Sequence, residues 1–431
     1  MDYFSELPHN NKEFWEKVKE RLKIIPNSFK ELNTIFFDGK CKFFDEIEKK
    51  HKEEGEEFFK VYQYLQDLAL NLEKILPETI PILKKNTQDK IELTRKQAGL
   101  IFFLSFFELI DFLQEKGLKE HRSIVSQILF SLTQLKFEFG RCFLNYLTVI
   151  GKWLSENNII LDEKIKYIRD TNKLDFKHLD KKINLCEIQI YEKGSLFNGK
   201  SSYFTDFANR YIGGGVLIGG CVQEEILFAV SPEAIISMFF MEVMSDIDAI
   251  RIDNIIQYSD YSGYAQNFAF KGCAIDKNDI NKIKRSKIIA IDACIQENDP
   301  SGNIDKKEIK RDILKAFVGF NLVNFEDEKN EEKSIATGNW GCGAFGGDHE
   351  LKLLQQWIAA SFAGIERLDY YTFGENEMEY IFKNLDNIKL KYKSAFKLYE
   401  KLIKSQLISG KVARIIYKDK NEKNEDDCFI I

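Results

Sequence analysis

Only six of the 25 glycines in this 431-residue chain precede residue 190. Glycine is what a backbone needs for left-handed turns and for close approach of two chains or of a ligand. A first part nearly free of it suits long helices, and a second part rich in it suits short elements joined by tight turns. The hydrophobic pattern follows that division. Apolar residues recur at helical spacing over 13–25, ending before Pro26, and over 55–76, ending at Pro77. Thr94 is placed as the N-cap of a helix over 98–112 that is apolar almost all round and therefore buried, and a further helix is expected over 137–153. From residue 11 to about 154 the chain reads as helical almost throughout.

Beyond about residue 182 short apolar runs alternate with helical patterns. Strands are expected over 185–191, 249–258, 288–295 and 368–373, the third a β-branched run of the kind buried on both faces. A brief apolar run covers 226–230. Ser231 and Pro232 open a helix as N-cap and first helical residue, and another helix is expected over 351–362. Strands alternating with helices predict an α/β sheet covered on both sides. Residues 324–333 read as a solvated acidic loop, and the charged tail from 418 to 431 reads as disordered.

Composition limits what such a chain can do. With 44% hydrophobic and 30% charged residues it is an ordinary globular protein. A formal net charge of −6 argues against direct nucleic-acid binding, so an anionic ligand must be held by local donors. The eight cysteines show no CxxC pair, which reads as reduced, buried thiols inside the cell. The five histidines are not spaced as a zinc site. The first eleven residues are polar and broken by Pro8, unlike a secretory leader. The most apolar run, 98–113, carries Glu108 and Asp111 and is too short to span a bilayer.

Three segments carry candidate chemistry. The first runs from Thr205 and Asp206 through Asn209 to Gly213, Gly214 and Gly215, and closes on Gln223, Glu224 and Glu225. Three glycines let a backbone lie flat against a ligand, and two adjacent glutamates are expensive to hold together unless one is protonated. On this reading the glutamates sit at or just before a strand, one reaching a glycosidic oxygen. The plain alternative is a tight turn with both glutamates facing solvent. The second segment, 337–348, sets Gly338, Gly341, Gly343, Gly346 and Gly347 before a helix, an amide nest suited to a diphosphate. Trp340 and Phe345 are candidates for an apolar face against ribose or base, or for plain packing. It matches neither the dinucleotide fingerprint nor a P-loop. The third, 258–265, crowds Tyr258, Tyr261 and Tyr264 at the end of a strand, where aromatics either cover a ligand or pack between strands.

Asp206, Phe207, Ala208 and Asn209, with Gly213 to Gly215 and Val222, Gln223, Glu224, Glu225 and Ile226, resemble the signature of the poly(ADP-ribose) glycohydrolase family. The resemblance extends to residues 261–265, to 289–293, to the loop 336–348 and to Tyr371, Thr372, Phe373 and Gly374. Leu93 to Gln97 is similar to a segment of that family's helical accessory region. It covers about residues 90 to 375.

What the resemblance implies is a macrodomain-like three-layer α/β/α sandwich (183–417) with an N-terminal helical accessory domain (1–182), ahead of the tail. The implied activity is hydrolysis of the ribose–ribose O-glycosidic bonds of poly(ADP-ribose), mainly from the chain end, releasing ADP-ribose without metal or organic cofactor. The implied setting is the reversal of ADP-ribosylation on modified proteins, including the DNA damage response, in nucleus or cytoplasm. By the resemblance Glu225 is the catalytic acid/base, Glu224 and Asn209 hold the adjoining ribose, and Asp206 supports the site. Gly213, Gly214, Gly215 and Gln223 would meet the ribose, and Gly343, Ala344 and Phe345 the diphosphate. Tyr264 would pack on ADP-ribose, and Phe373, or alternatively Tyr371, would stack on adenine.

Other readings stay open at this point: a non-catalytic ADP-ribose reader, and a hydrolase removing single ADP-ribose units from proteins. A nicotinamide-dinucleotide oxidoreductase is disfavoured by the missing GxGxxG. A membrane link would need prenylation of Cys428 in the terminal Cys-Phe-Ile-Ile, a loose match to the lipidation pattern.

Overall fold

The computed structural model describes residues 4–6, 12–77, 79–109, 135–276, 282–296, 302–325, 332–374 and 378–417. The chain divides into two compact units, Met1–Thr171 with Asp206–Ile291, and Asn172–Thr205 with Asp292–Ile431. Eight strands form their sheet layers, in chain order β1 (Asp89–Thr94), β2 (Lys164–Thr171), β3 (Glu187–Tyr191), β4 (Tyr203–Ala208), β5 (Asp248–Ile256), β6 (Arg285–Asp292), β7 (Ser334–Gly338) and β8 (Arg367–Tyr371). The fold is α/β with mixed pairing.

In the first unit β1, β2, β5 and β6 pair antiparallel in that order, with one register irregularity between Ser286 and Lys287. Helices Lys12–Leu22, Phe29–Phe37, Lys42–Lys50, Lys52–Leu70, Arg95–Phe106 and Phe137–Ser155 accompany this sheet. Phenylalanine supplies their core: Phe29 stacks on Phe44 and Phe58 at 5.5 and 6.0 Å between ring centres. Helix Arg95–Phe106 starts as the sequence predicts. Thr94 Oγ1 accepts from the Gln97 N–H at 3.2 Å, and Gln97 Oε1 accepts from the Thr94 N–H at 2.8 Å, a capping box. The helix is buried almost all round, and residues 110–112 of the expected span lie outside the described residues. Its first residue, Arg95, is fully buried, ion-paired with Glu233 and donating to the Asn254 carbonyl at 3.0 Å.

The second unit carries β4, β7, β8 and β3, paired parallel in that order. Its helices are Lys306–Asn321, His349–Phe362, Glu379–Tyr392, Ala395–Lys404 and Val412–Tyr417. β4 begins in this unit at Tyr203 and ends in the first at Ala208, so the candidate loop that follows it belongs to the first unit.

The structure corrects the sequence reading in three places. The nearly all-helical stretch is interrupted by β1 and by Thr79–Pro81, which pairs antiparallel with Phe4–Glu6. β2 was not expected: its Lys164, Lys166, Arg169 and Asp170 hide a strand whose apolar residues, Ile165, Tyr167 and Ile168, are fully buried. The run 226–230 belongs to helix Gln223–Val230 and not to a strand. The run in β6 is buried on both faces from Ile288 to Asp292, as the sequence predicts, and it pairs antiparallel with β5. Residues 326–331 of the acidic loop and the tail 418–431 lie outside the described residues. Among those described, no helix is long and apolar enough to cross a membrane.

Candidate active site

β4 ends at Ala208 and helix Gln223–Val230 begins fifteen residues later. The three side chains that open the helix all turn back onto the loop and its approach. Gln223 Oε1 accepts from the Phe207 N–H at 2.8 Å. Glu224 accepts from the Asn209 N–H at 2.8 Å and the Gly213 N–H at 2.6 Å, one on each oxygen. Glu225 accepts from the Gly215 N–H and the Val222 N–H, both at 2.8 Å, again one on each oxygen. The last bond is the glutamate half of a capping box, and the helix N-terminus favours negative charge at both positions. The glutamates are therefore not solvent-facing: they are 2% and 6% exposed.

This arrangement explains the spacing of the motif. At Gly214 the backbone has φ +49°, and a Cβ would lie 2.5 Å from Glu225 Oε1 and 2.6 Å from Glu224 Oε2. Both carboxylates touch the loop backbone where only hydrogen fits. Gly213, at φ +88°, rests on Met238 in the same way.

Asp206, on β4, is 0% exposed, and neither of its carboxyl oxygens has a hydrogen-bond partner. An ionised carboxylate left so would cost several kcal/mol. Burial and then the Glu225 charge push its carboxyl well above the ordinary range. Glu224 is also pushed up, by burial and by Asp206, partly offset by the N–H groups of Asn209 and Gly213. The sequence places the raised carboxyl at Glu225, whereas the upward shifts in this cluster fall on Asp206 and Glu224. No group of three or more histidine, cysteine, aspartate or glutamate side chains among the described residues is arranged to hold a metal ion.

Asn209 uses its Oδ1 to accept from the Tyr211 N–H at 3.0 Å. Of the three tyrosines in 258–265, two are packing residues. Tyr258 is buried with its hydroxyl on Glu233 at 2.5 Å, and Tyr261 stacks on Phe268 at 5.4 Å. Tyr264 is 55% exposed, and its hydroxyl lies against the Gln223 backbone within the field of Glu225. The next residue, Ala265, has φ +51°, and its carbonyl accepts from Lys136 Nζ at 2.7 Å. Lys136 also faces the Cys221 thiol. Neither Lys136 nor Cys221 was singled out from sequence, because neither sits in a spacing that marks it.

The second glycine-rich loop lies in the second unit, between β7 and helix His349–Phe362. Its neck is closed by the Gly347 N–H on the Gly341 carbonyl at 2.9 Å. Asp348 caps the helix, accepting from the Leu351 N–H at 2.8 Å. The N–H groups of Gly343, Ala344 and Phe345 have no partner among the described residues, a nest of three consecutive donors. Trp340 does not offer a face to a ligand: it is fully buried. Tyr371 is buried and stacked on Tyr191 at 4.8 Å, which leaves Phe373, 51% exposed, as the accessible aromatic of that pair. Asp206, Asn209, the three glycines, Gln223, Glu224, Glu225 and Tyr264 thus meet in the first unit. Gly343, Ala344, Phe345 and Phe373 belong to the second.

Residues 176–380 match the family model described as poly(ADP-ribose) glycohydrolase, macro domain fold, and residues 50–167 match that of the same family's helical domain. A relative from Arabidopsis thaliana named probable poly(ADP-ribose) glycohydrolase 2 is 30% identical over 61% of this chain and 58% of its own length. Poly(ADP-ribose) glycohydrolase 1 of the same plant is 27% identical over 84% of this chain and 79% of its own. The chain thus spans less than two thirds of the first relative and about four fifths of the second. A crystal structure of a poly(ADP-ribose) glycohydrolase from Thermomonospora curvata is similar at 17% identity and a TM-score of 0.31, over 44% of this chain and 73% of that one.

Proposed function

The chain belongs to the poly(ADP-ribose) glycohydrolase family, and from that premise we propose that it hydrolyses the ribose–ribose O-glycosidic bonds of poly(ADP-ribose), mainly from the chain end, releasing ADP-ribose. The observation that carries this reading is the pair of buried glutamates bonded to the amides of a glycine loop, beside a carboxyl without partners. A site that only holds ADP-ribose has no use for three carboxyls crowded at that cost. A site that must protonate a leaving ribose oxygen has.

In the proposed reaction Glu225, which takes up a proton in the complex with substrate, gives that proton to the departing ribose 2′ oxygen as the bond to the anomeric carbon breaks. Water then attacks that carbon and returns a proton to Glu225, so the carboxyl ends as it began. Each Glu225 oxygen accepts one backbone N–H, which fixes its direction and leaves a second lone-pair position for the proton. Glu224 and Asn209 hold the ribose next to the scissile bond. Asp206, kept neutral by burial, supplies no further negative charge against Glu225. Gly213, Gly214, Gly215 and Gln223 shape the ribose pocket, Tyr264 packs on the ADP-ribose, Gly343, Ala344 and Phe345 receive the diphosphate, and Phe373 meets the adenine.

We also assign residues 1–182 to the helical accessory domain and 183–417 to the macrodomain-like domain. The two family models meet between residues 167 and 176, a few residues before that boundary. The seven described cysteines are free thiols, in keeping with work in the nucleus or cytoplasm on modified proteins. The direct test is incubation of the full chain with labelled poly(ADP-ribose). Free ADP-ribose is the expected product, and binding without any product would make the protein a reader.

A further inference from the structure

Helix His349–Phe362 carries a lysine that the proposed reaction leaves unused. Lys352 is 0% exposed. Its ammonium is ion-paired with Asp312 and lies 4.7 Å from the centre of the Trp340 ring. Asp312 also meets Arg311 at 3.1 Å and accepts from the Cys294 N–H at 3.0 Å. Burial pushes the Asp312 carboxyl up, but the Lys352 and Arg311 cations outweigh it and bring it below the ordinary range. Nearby, Asp292 is paired with Arg311 and, at 2.7 Å, with the fully buried Lys315. Charges are expensive to bury, and apolar residues of similar volume often serve a core as well or better. Their presence under one particular loop needs a reason.

The loop above supplies one. A Cβ on Gly347 would lie 2.6 Å from Lys352 Cε, and one on Gly341 would lie 3.2 Å from both Cε and Nζ. The lysine therefore runs along the buried side of the loop, past the two residues that close its neck. Gly343 and Ala344, across the loop, are exposed, and the N–H groups of Gly343, Ala344 and Phe345 are the unpartnered ones.

We propose that Lys352 is the positioning residue of the diphosphate subsite. Held by Asp312 and Trp340 against the neck glycines, it fixes the loop in the conformation that leaves the three amides open. In this buried layer the cations of Arg311, Lys315 and Lys352 outnumber the carboxylates of Asp292 and Asp312 by one, and that surplus favours a diphosphate over an uncharged group there. This rests on the proposed function, because the diphosphate is that of ADP-ribose. A lysine in the fourth position of the helix, four residues after the capping Asp348, is the sequence signal for it.

The test uses the full chain with Lys352→Met and with the paired Lys352→Met/Asp312→Asn, which leaves no stranded carboxylate. ADP-ribose and adenosine are titrated into each, and turnover of poly(ADP-ribose) is measured. Both variants should bind ADP-ribose about tenfold more weakly and adenosine within about twofold of wild type, with KM raised and kcat changed by less than about threefold. Equal losses for the two ligands would make Lys352 a packing residue and overturn the proposal. So would unchanged ADP-ribose affinity, or failure of the paired variant to fold. Wild type that neither binds nor cleaves would overturn the proposed function as well, whereas active wild type with unaffected variants would overturn the role of Lys352 alone.

Discussion

In the loop 209–222 the N–H groups of Asn209, Gly213, Gly215 and Val222 end on the carboxylate oxygens of Glu224 and Glu225. In the loop 338–347 the N–H groups of Gly343, Ala344 and Phe345 end on no described protein group, and the charge packed beneath is the ammonium of Lys352. Glycine serves both loops by the same steric means and to opposite electrostatic ends. The first loop spends its donors on the protein's own acids. The second leaves three donors open, with the Lys352 ammonium packed beneath them. Glycine content reports that a backbone must come close to something; which sign of charge it meets is decided by side chains elsewhere in the chain.

The comparison breaks most decisively at Glu225. Glu225→Gln keeps the volume and one acceptor, so ADP-ribose affinity should stay within about threefold, while turnover falls by roughly a thousandfold or more. Single-turnover assay of labelled poly(ADP-ribose) reads this directly, and near-normal turnover would remove the acid from the first loop. The next effect in size separates the loops by a methyl group. Gly214→Ala sets a Cβ against both carboxylates at a left-handed φ, and a displacement near 1 Å there should lower kcat by about a hundredfold. Gly343→Ala meets nothing within 4 Å and should melt with wild type. If the two alanine variants behave alike, the carboxylates do not depend on the first loop's missing Cβ.

Much of this contrast was written in the sequence, though unevenly. The spacing from Asp206 and Asn209 to the glutamates carries the first loop, because side chains that bond the loop's own amides must lie a fixed distance along the chain. The Thr94 cap was legible for the same reason: a capping box is a local pattern. What sequence could not give was which element follows the loop, since 226–230 is too short for helical periodicity to stand out from a buried strand. Nor could it tell Trp340 from a ligand face, because an indole beside glycines is equally at home in either, and only its burial over Lys352 decides. β2 was missed because its charged residues are satisfied across the structure, as Arg169 is by Asp248 at 3.2 Å and by the Val243 carbonyl at 2.9 Å.

A smaller effect tests the electrostatics of the first loop through stability. The folded chain holds a proton on Asp206 that an unfolded chain releases above about pH 3.8. That contribution is fully present below pH 3.8 and is lost as pH rises toward the folded value. Asp206→Asn removes the titrating group while keeping its shape. The variant should melt about 2–4 °C above wild type at pH 8, and the gap should close toward pH 4. A variant that melts below wild type at pH 8 would mean that Asp206 is ionised and held by a cation. Turnover should fall in the same variant, which would make the buried carboxyl a stability loss retained for function.

The least effect is expected at Phe373, where the second loop's reading can be sharpened. This residue holds φ +56°, a conformation that costs a side chain with a Cβ about 1–2 kcal/mol, yet its ring is half exposed and packs little. Glycine at this position relieves the backbone and removes the ring; alanine removes the ring alone. Phe373→Gly should therefore melt slightly above wild type and Phe373→Ala should not, while both weaken ADP-ribose by about fivefold through lost stacking. Ribose 5-phosphate, which has no base, should bind all three proteins alike. If both variants bind ADP-ribose as wild type does, the ring lies outside the ligand surface. The proposed ligand surface of the second loop then reduces to the three amides and the lysine behind them.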